Sequence, residues 1–240
     1  MPKQSTSVRA LQAALAKIAT PERAESSAWF FKTGPGEYAE GDRFIGVRVP
    51  DLRRAALQHR EMELDGIAEL LTSAIHEHRL AALEILVAQF EKGDVNERKE
   101  IFRFYLAHIA GINNWDLVDA SAPYIIGAHL RSGSRRLLDR LAKSNNVWER
   151  RIAIVATFAF LKQGEVETTL RIAEMLLADK HPLLHKAVGW ALRESGKVSE
   201  EALLQFLHEH YSRLPRTTLR YAIERFPPER RARMLRGDFD

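Results

Sequence analysis

The segment Arg79-Leu-Ala-Ala82 recurs along the chain as Arg151-Ile-Ala-Ile154, Lys186-Ala-Val-Gly189 and Arg220-Tyr-Ala-Ile223. In each copy a basic residue precedes small and apolar ones. The copies begin at residues 79, 151, 186 and 220, which are 72, 35 and 34 residues apart. The repeat unit is therefore about 35 residues long, and one copy, which lacks the basic residue, falls at Trp115-Asp-Leu-Val-Asp119.

Apolar residues recur with helical spacing almost everywhere, as in Leu80, Leu83, Leu86 and Phe90, and strand-like alternation is nearly absent. We predict helices over about 7–20, 22–32, 50–60, 63–73, 77–92, 94–110, 115–129, 132–143, 146–162, 165–178, 183–195, 199–211, 214–226 and 227–236. A single helix pair cannot bury its apolar face, so stacked pairs should form a curved solenoid. The sequence predicts an all-α, HEAT-like repeat fold over 1–240 as a single domain, with an irregular loop at about 33–49.

The composition excludes several kinds of site. The chain has no cysteine, so disulfides, thiolate nucleophiles and cysteine-ligated zinc or iron–sulfur clusters are excluded. The first residues lead into an amphipathic stretch rather than the apolar core of a signal peptide. No stretch is long and apolar enough to span a membrane. We therefore expect a cytoplasmic, nucleoid-associated monomer with no membrane contact.

Positive charge is concentrated near the end of the chain. Eight arginines lie between Arg213 and Arg236 with only Glu224 and Glu229, which gives +6 there and −2 for the rest. Such a concentration suits a polyanionic partner, but a solvated helical surface would look the same.

The irregular loop contains Gly34-Pro35-Gly36. Its amides could approach a phosphate. A plain turn explains them better, because no strand precedes and no Gly-Lys-Ser/Thr follows.

The run from Asn113 to Asp119 is the most informative for chemistry. Asn113 or Asn114 can cap the helix, and the helix N-terminus is sufficient to explain Asp116. Trp115 and Asp119 are four residues apart, so an indole and a carboxylate share one face. Asp119 lies deeper among apolar neighbours, where it is either the partner of an arginine or a catalytic group.

Two more tryptophans occupy comparable places in later repeats. We assign Trp148 to the core. Trp190 lies between the small residues Gly189 and Ala191, which leaves room for another group to approach, and Arg193 follows within a turn.

The segments that carry a family resemblance are Phe31-Lys-Thr-Gly-Pro-Gly-Glu-Tyr38, Asn113 to Asp119, Trp148-Glu-Arg-Arg151 and Lys186 to Glu194. In order and spacing they resemble the AlkD-type DNA alkylation repair family, over about residues 7 to 230. The resemblance implies a right-handed superhelical solenoid of antiparallel helix pairs that holds duplex DNA on its concave face. It also implies hydrolysis of the N-glycosidic bond of N3- or N7-alkylated purines.

The resemblance also implies roles for particular residues. Asp119 matches the family's catalytic carboxylate, Trp115 and Trp190 match its flanking tryptophans, and Arg151 matches a DNA-contacting arginine. Phe30, which we expect to contact DNA, stands where members commonly have a tyrosine, and it has no phenol hydroxyl to fill a role that needs one. With Arg151, the further phosphate ligands that we expect from their repeat positions are Lys186, Arg193, Arg216 and Arg220.

One carboxylate suffices for this reaction, because an alkylated purine is already cationic and leaves as a neutral base without a general acid. No lysine stands beside Asp119 to form a Schiff base, so we expect a monofunctional glycosylase. We expect neither a metal nor an organic cofactor.

Three alternatives stay open. The first is a non-catalytic DNA-binding solenoid that recognises distorted DNA, and the second is a protein-interaction scaffold. The third and weakest is a metal-dependent nuclease, since His76 and His78 are two apart on a helix and face different ways.

Overall fold

The computed structural model describes residues 2–239 of the chain, and the side chains of residues 8–239. Seven helices occupy the first half: α1 (Pro2–Ile18), α2 (Pro21–Phe30), α3 (Val49–Gln58), α4 (Leu64–Leu71), α5 (His76–Lys92), α6 (Val95–Ala107) and α7 (Trp115–Ser121). Nine follow: α8 (Ala128–Leu130), α9 (Arg136–Ala142), α10 (Val147–Val155), α11 (Phe158–Leu161), α12 (Glu167–Leu176), α13 (Pro182–Val198), α14 (Glu200–His210), α15 (Arg216–Ala222) and α16 (Pro228–Met234).

The all-α class predicted from the sequence is confirmed. Within residues 2–239 the only β-type pairing is one isolated bridge between Arg43 and Ile75. The irregular loop lies between the end of α2 at Phe30 and the start of α3 at Val49, close to the predicted 33–49.

The chain forms two compact units, Met1–Ile125 and Ile126–Asp240. In the first unit α5 packs against α3, α4, α6 and α7. In the second, α13 packs against α10, α11, α12, α14 and α15. These helices thus bury their apolar sides against helices that are near them in sequence, as repeat architectures do. The single domain expected over 1–240 stays a prediction.

The sequence predicts one continuous helix over 115–129, and this prediction is wrong. α7 ends at Ser121, a π-type turn runs over Pro123–Gly127, and α8 continues to Leu130. Pro123 cannot donate a backbone hydrogen bond and its ring crowds the preceding turn, so the regular helix stops there.

The predicted helix over 146–162 is also divided, into α10 and α11. The hydroxyl of Thr157 donates to the carbonyl oxygen of Ile154 at 2.6 Å. A threonine that bonds back to the preceding turn competes with the regular helical hydrogen bonds, and the ladder is interrupted at this residue.

Gly189 in α13 does not leave room for an approaching group, contrary to the expectation from its small size. A β-carbon at this position would lie 2.5 Å from Cβ of Tyr221 and 2.6 Å from the carbonyl oxygen of Thr218. The space beside Gly189 is therefore occupied by α15, which lies close against α13 because this residue has no side chain.

Gly189→Ala should lower the free energy of unfolding by about 1–3 kcal/mol, because the added methyl group forces α13 and α15 apart. Urea denaturation followed by circular dichroism measures the change. Gly133→Ala is the matched control, since a β-carbon there meets nothing within 4 Å. Equal stability of the two variants would contradict the close packing at Gly189.

Candidate functional site

Aromatic rings gather where α2 ends and α7 begins, in the first unit. The rings of Phe31 and Trp115 are stacked with their centroids 5.1 Å apart and their planes 12° apart. Phe30 meets the edge of Trp115 at 6.0 Å and is 57% exposed. The structure therefore brings together Phe30 and Trp115, two of the predicted site residues, and adds Phe31.

The first turn of α7 sets the direction of Trp115 and Asp119. Asn114 caps the helix, since its side-chain oxygen accepts from the amide of Trp115 at 2.8 Å. Trp115 is the first residue of α7 and Asp119 is the fifth, and both are half-buried. Arg151, Lys186 and Arg220 occupy the same fifth position of α10, α13 and α15. At Asp119 a carboxylate thus replaces the recurring basic side chain.

Asp119 lies close to a buried polar pair. The Tyr105 hydroxyl donates to the Ser121 hydroxyl at 2.9 Å, and Ser121 donates to the carbonyl oxygen of Leu117 at 2.6 Å. Complete burial raises the pKa of Tyr105 above its usual range, and the negative charge of Asp119 raises it further. Tyr105 therefore stays a neutral phenol beneath the helix that carries Asp119.

A buried ionic bridge links α5 to α7 and to the irregular loop. The imidazole of His76 is 2% exposed, with Nε2 2.7 Å from Asp116 Oδ2 and Nδ1 3.1 Å from Asp42 Oδ2. Asp42 also accepts from Arg79 Nη2 at 2.5 Å and from Asn114 Nδ2 at 3.1 Å. The helix cap, the loop and α5 are thereby joined through one carboxylate.

The charge state of His76 follows from its surroundings. Burial by itself lowers the pKa of His76, but the hydrogen bonds and charges of Asp116 and Asp42 outweigh burial and raise that pKa to about 9. Burial raises the pKa of Asp42, yet its bonds with His76, Arg79 and Asn114 bring that pKa below its ordinary value. The bridge therefore holds an imidazolium at neutral pH.

Glu77 fixes the same loop from its other side. Its buried carboxylate accepts the backbone amides of Ile45 and Gly46 at 3.1 and 2.7 Å, and that of Val47 at 3.3 Å. Gly46 has a φ of +82°, and a β-carbon there would lie 2.1 Å from the carbonyl oxygen of Thr20. The loop is thus held by a charged side chain where only glycine fits.

Sequence reasoning missed the bridge. It explained Asp116 by the helix N-terminus alone and considered His76 only as a metal ligand. The available indication was a run of four polar residues, His76 to Arg79, directly before the apolar run Leu80-Ala-Ala-Leu83. All four are buried, and His78 contacts Ser73 Oγ at 3.0 Å instead of the bridge.

In the second unit Trp190 lies on Phe158, with centroids 4.5 Å apart and planes 87° apart. Trp190 remains half-buried, whereas Trp148 is buried, as expected for a core residue. Arg151 is only 5% exposed and donates to the carbonyl oxygen of Leu183 at 3.0 Å. Arg151 therefore forms an internal hydrogen bond within the second unit, and the contact of Arg151 with DNA stays a prediction.

The other predicted phosphate ligands differ in their surroundings. Arg193 forms ion pairs with Glu224 and Glu194. Arg216 donates to the carbonyl oxygen of Leu235 at 2.7 Å and is exposed. Lys186 and Arg220 are also exposed. Three of the predicted ligands, Lys186, Arg216 and Arg220, are thus accessible to a polyanion.

The segment Gly34-Pro35-Gly36 of the irregular loop is a plain turn whose backbone amides bond to side chains of the same loop. The amide of Gly34 donates to Glu37 at 2.9 Å, and that of Gly36 donates to Glu40 at 2.9 Å. Acidic side chains already occupy these amides, which makes the loop a poor phosphate site.

Within the part of the chain that the structure describes, no group of three or more histidine or acidic side chains is arranged to hold a metal ion. No helix within the same residues has the length and apolar character needed to cross a bilayer.

The succession of helices, most of them packed on helices near them in sequence, places the chain among all-helical proteins of the solenoid type. More narrowly, the chain belongs to the DNA alkylation repair enzyme family, whose model matches residues 11–226.

A solved structure described as a "predicted DNA alkylation repair enzyme" from Enterococcus faecalis superposes with a TM-score of 0.66. It is 15% identical and covers 88% of this chain and 97% of its own. At that identity the similarity shows the fold. No curated protein matches the sequence.

The bridge makes stability depend on pH. Because the folded chain raises the pKa of His76 from 6.5 to about 9, this contribution is complete below pH 6.5 and is lost as the pH rises through 9. The free energy of unfolding should fall by about 3 kcal/mol over that interval, at 1.36 kcal/mol for each pKa unit.

Urea denaturation at pH 6.5, 8 and 9.5 measures the fall, and His76→Gln is the reference that lacks it. A wild type whose stability changes no more with pH than that of His76→Gln would contradict the charged bridge.

Proposed function

We propose that the protein is a monofunctional DNA glycosylase that hydrolyses the N-glycosidic bond of cationic N3- or N7-alkylated purines in duplex DNA. This reaction would open base excision repair of alkylation damage. The observation that carries the proposal is the place of Asp119. In a chain of the DNA alkylation repair enzyme family, a half-buried carboxylate stands one helical turn from Trp115, at the position that is basic in α10, α13 and α15.

The chemistry needs a single carboxylate. The bond between C1′ and the purine nitrogen breaks with its electrons moving to the cationic base, which leaves neutral. A water molecule then adds to C1′ and loses a proton. Asp119, as an anion, would stabilise the positive charge that develops on the sugar and would position that water.

The size of this effect is adequate for catalysis. At about 4 Å and an effective dielectric constant near 20, opposite unit charges attract by about 4 kcal/mol. Expressed only in the transition state, such an attraction accelerates the reaction by about a thousandfold.

The aromatic rings support a cationic substrate. Trp115 is half-buried and Phe30 is exposed beside it, so their π-faces can attract a positively charged sugar or base. The resemblance gives Trp190 of the second unit the same task. Phe30 has no hydroxyl, so it would contribute contact area and not a hydrogen bond.

Asp119→Asn tests the proposal. The variant should lose release of 7-methylguanine and 3-methyladenine from methylated duplex DNA by about a thousandfold, because the amide carries no charge. Chromatography of the released bases under single-turnover conditions measures the loss, and Asp65→Asn, an exposed residue of the first unit, is the matched control.

The duplex affinity of Asp119→Asn should stay close to that of the wild type. Wild-type activity in Asp119→Asn would exclude the catalytic role. Binding without base release by the wild type would indicate a non-catalytic protein that recognises distorted DNA.

The exposed cations of the second unit give a separate test of DNA binding. Lys186→Ala and Arg220→Ala should each reduce the slope of log K against log salt concentration by about 0.9, since each removes one phosphate contact. Gel-shift titrations over a salt series measure the slope. Lys143→Ala, at the end of α9, is the control. No salt dependence in the wild type would favour a protein-interaction scaffold.

A further inference from the structure

We propose that the Asp42–His76–Asp116 bridge is a positioning device for the candidate site, and that His76 is a positioning residue for base release. The bridge holds the first turn of α7, and with it Trp115 and Asp119, in the orientation that the reaction requires. The inference rests on the proposed function. It gives a role to the bridge residues, which are distinct from the aromatic and carboxylate pair already described.

The bridge is a balanced set of four charges. Both nitrogens of His76 face carboxylate oxygens, so both must carry a proton and the ring is an imidazolium. Asp42 and Asp116 supply two negative charges, while His76 and Arg79 supply two positive ones. Because the charges cancel, the bridge is stable only when all four groups keep their charge.

The bridge holds α7 at two residues of its first turn. Asn114, the cap, donates to Asp42, and Asp116, the second residue of the helix, accepts from His76. Trp115 lies between these two anchored residues. Asp119 follows Asp116 by three residues on the same short helix, so rotation or tilt of the first turn moves it directly.

Stacked aromatic rings form a second connection between His76 and Trp115. The imidazole of His76 is stacked on Phe44 at 4.5 Å, Phe44 on Phe31 at 4.9 Å, and Phe31 on Trp115 at 5.1 Å. A change at His76 therefore reaches the indole of Trp115 through contacts as well as through the backbone of α7.

Loss of one proton breaks the bridge. A neutral imidazole can donate to one carboxylate only, so the other keeps a negative charge without its partner in a buried place. The groups that face the imidazole are Asp42 from the loop and Asp116 from α7, with Arg79 of α5 and Asn114 behind Asp42. The imidazolium of His76 loses its proton as the pH rises through about 9, its pKa in this bridge.

The experiment compares single-turnover base release with duplex affinity in the wild type, His76→Gln and Asp116→Asn. Each variant should slow release by about ten- to a hundredfold, because a displacement of about 1 Å has effects of this order. The dissociation constant should change less than about threefold. His78→Gln is the matched control, because His78 is also a buried histidine of α5 but lies outside the bridge.

If His76 served folding alone, it would not determine how base release depends on pH. Wild-type release, corrected with Asp119→Asn for spontaneous loss, should decline above pH 9, and this decline should be absent from His76→Gln. The wild-type profile needs no substitution, so it tests the inference even if a variant fails to fold. Release by folded His76→Gln that equals the wild type at every pH would overturn the inference.

A readout without activity separates this inference from the proposed function. The indole N–H resonance of Trp115, assigned by comparison with Trp115→Phe, should shift with a midpoint near pH 9 and should be constant in His76→Gln. That shift in a protein that releases no base would support the positioning bridge and refute the glycosylase. An indole resonance that is constant from pH 7 to 10 would refute the bridge as a positioning device.

Discussion

Each helix of this chain can remove its apolar side from water only by lying against helices that are close to it in sequence. The two longest central helices, α5 and α13, are therefore surrounded within their units. Polar side chains on such helices cannot remain unpaired without a large cost. The buried charges of α5 are accordingly satisfied by the loop and by α7, so the same packing that forms the core also positions the candidate site.

Burial of four charges is an expensive way to hold a helix end. Apolar side chains of similar volume are often as stabilising as a buried ion pair, since desolvation offsets most of the Coulomb attraction. Hydrogen bonds to charged groups have strict distances and directions, however, and apolar contacts do not. An imidazolium between two carboxylates therefore gives α7 a defined orientation, which is a more demanding requirement than stability when a carboxylate must face a developing charge.

The features that could be predicted from the sequence were local ones. The period of about 35 residues identified the helices that carry Asp119, Arg151, Lys186 and Arg220, and these residues occupy one position of their helices. Asn114 was one of two residues expected to cap α7, and it is the cap. Two helices were predicted as continuous where Pro123 and Thr157 interrupt them, because the apolar spacing continues across each break and outweighed the local chemistry of these residues.

The sequence by itself determined the all-α class, the repeat spacing and the shared face of Trp115 and Asp119, because helical geometry relates residues three and four apart wherever the helix lies. Only the tertiary structure decided which groups meet across longer separations. Asp42 and Asp116 lie 34 and 40 residues from His76, Arg151 is buried against Leu183, and α15 fills the space at Gly189. Such pairings depend on how helices pack, and a list of charges and small residues along the chain does not contain that information.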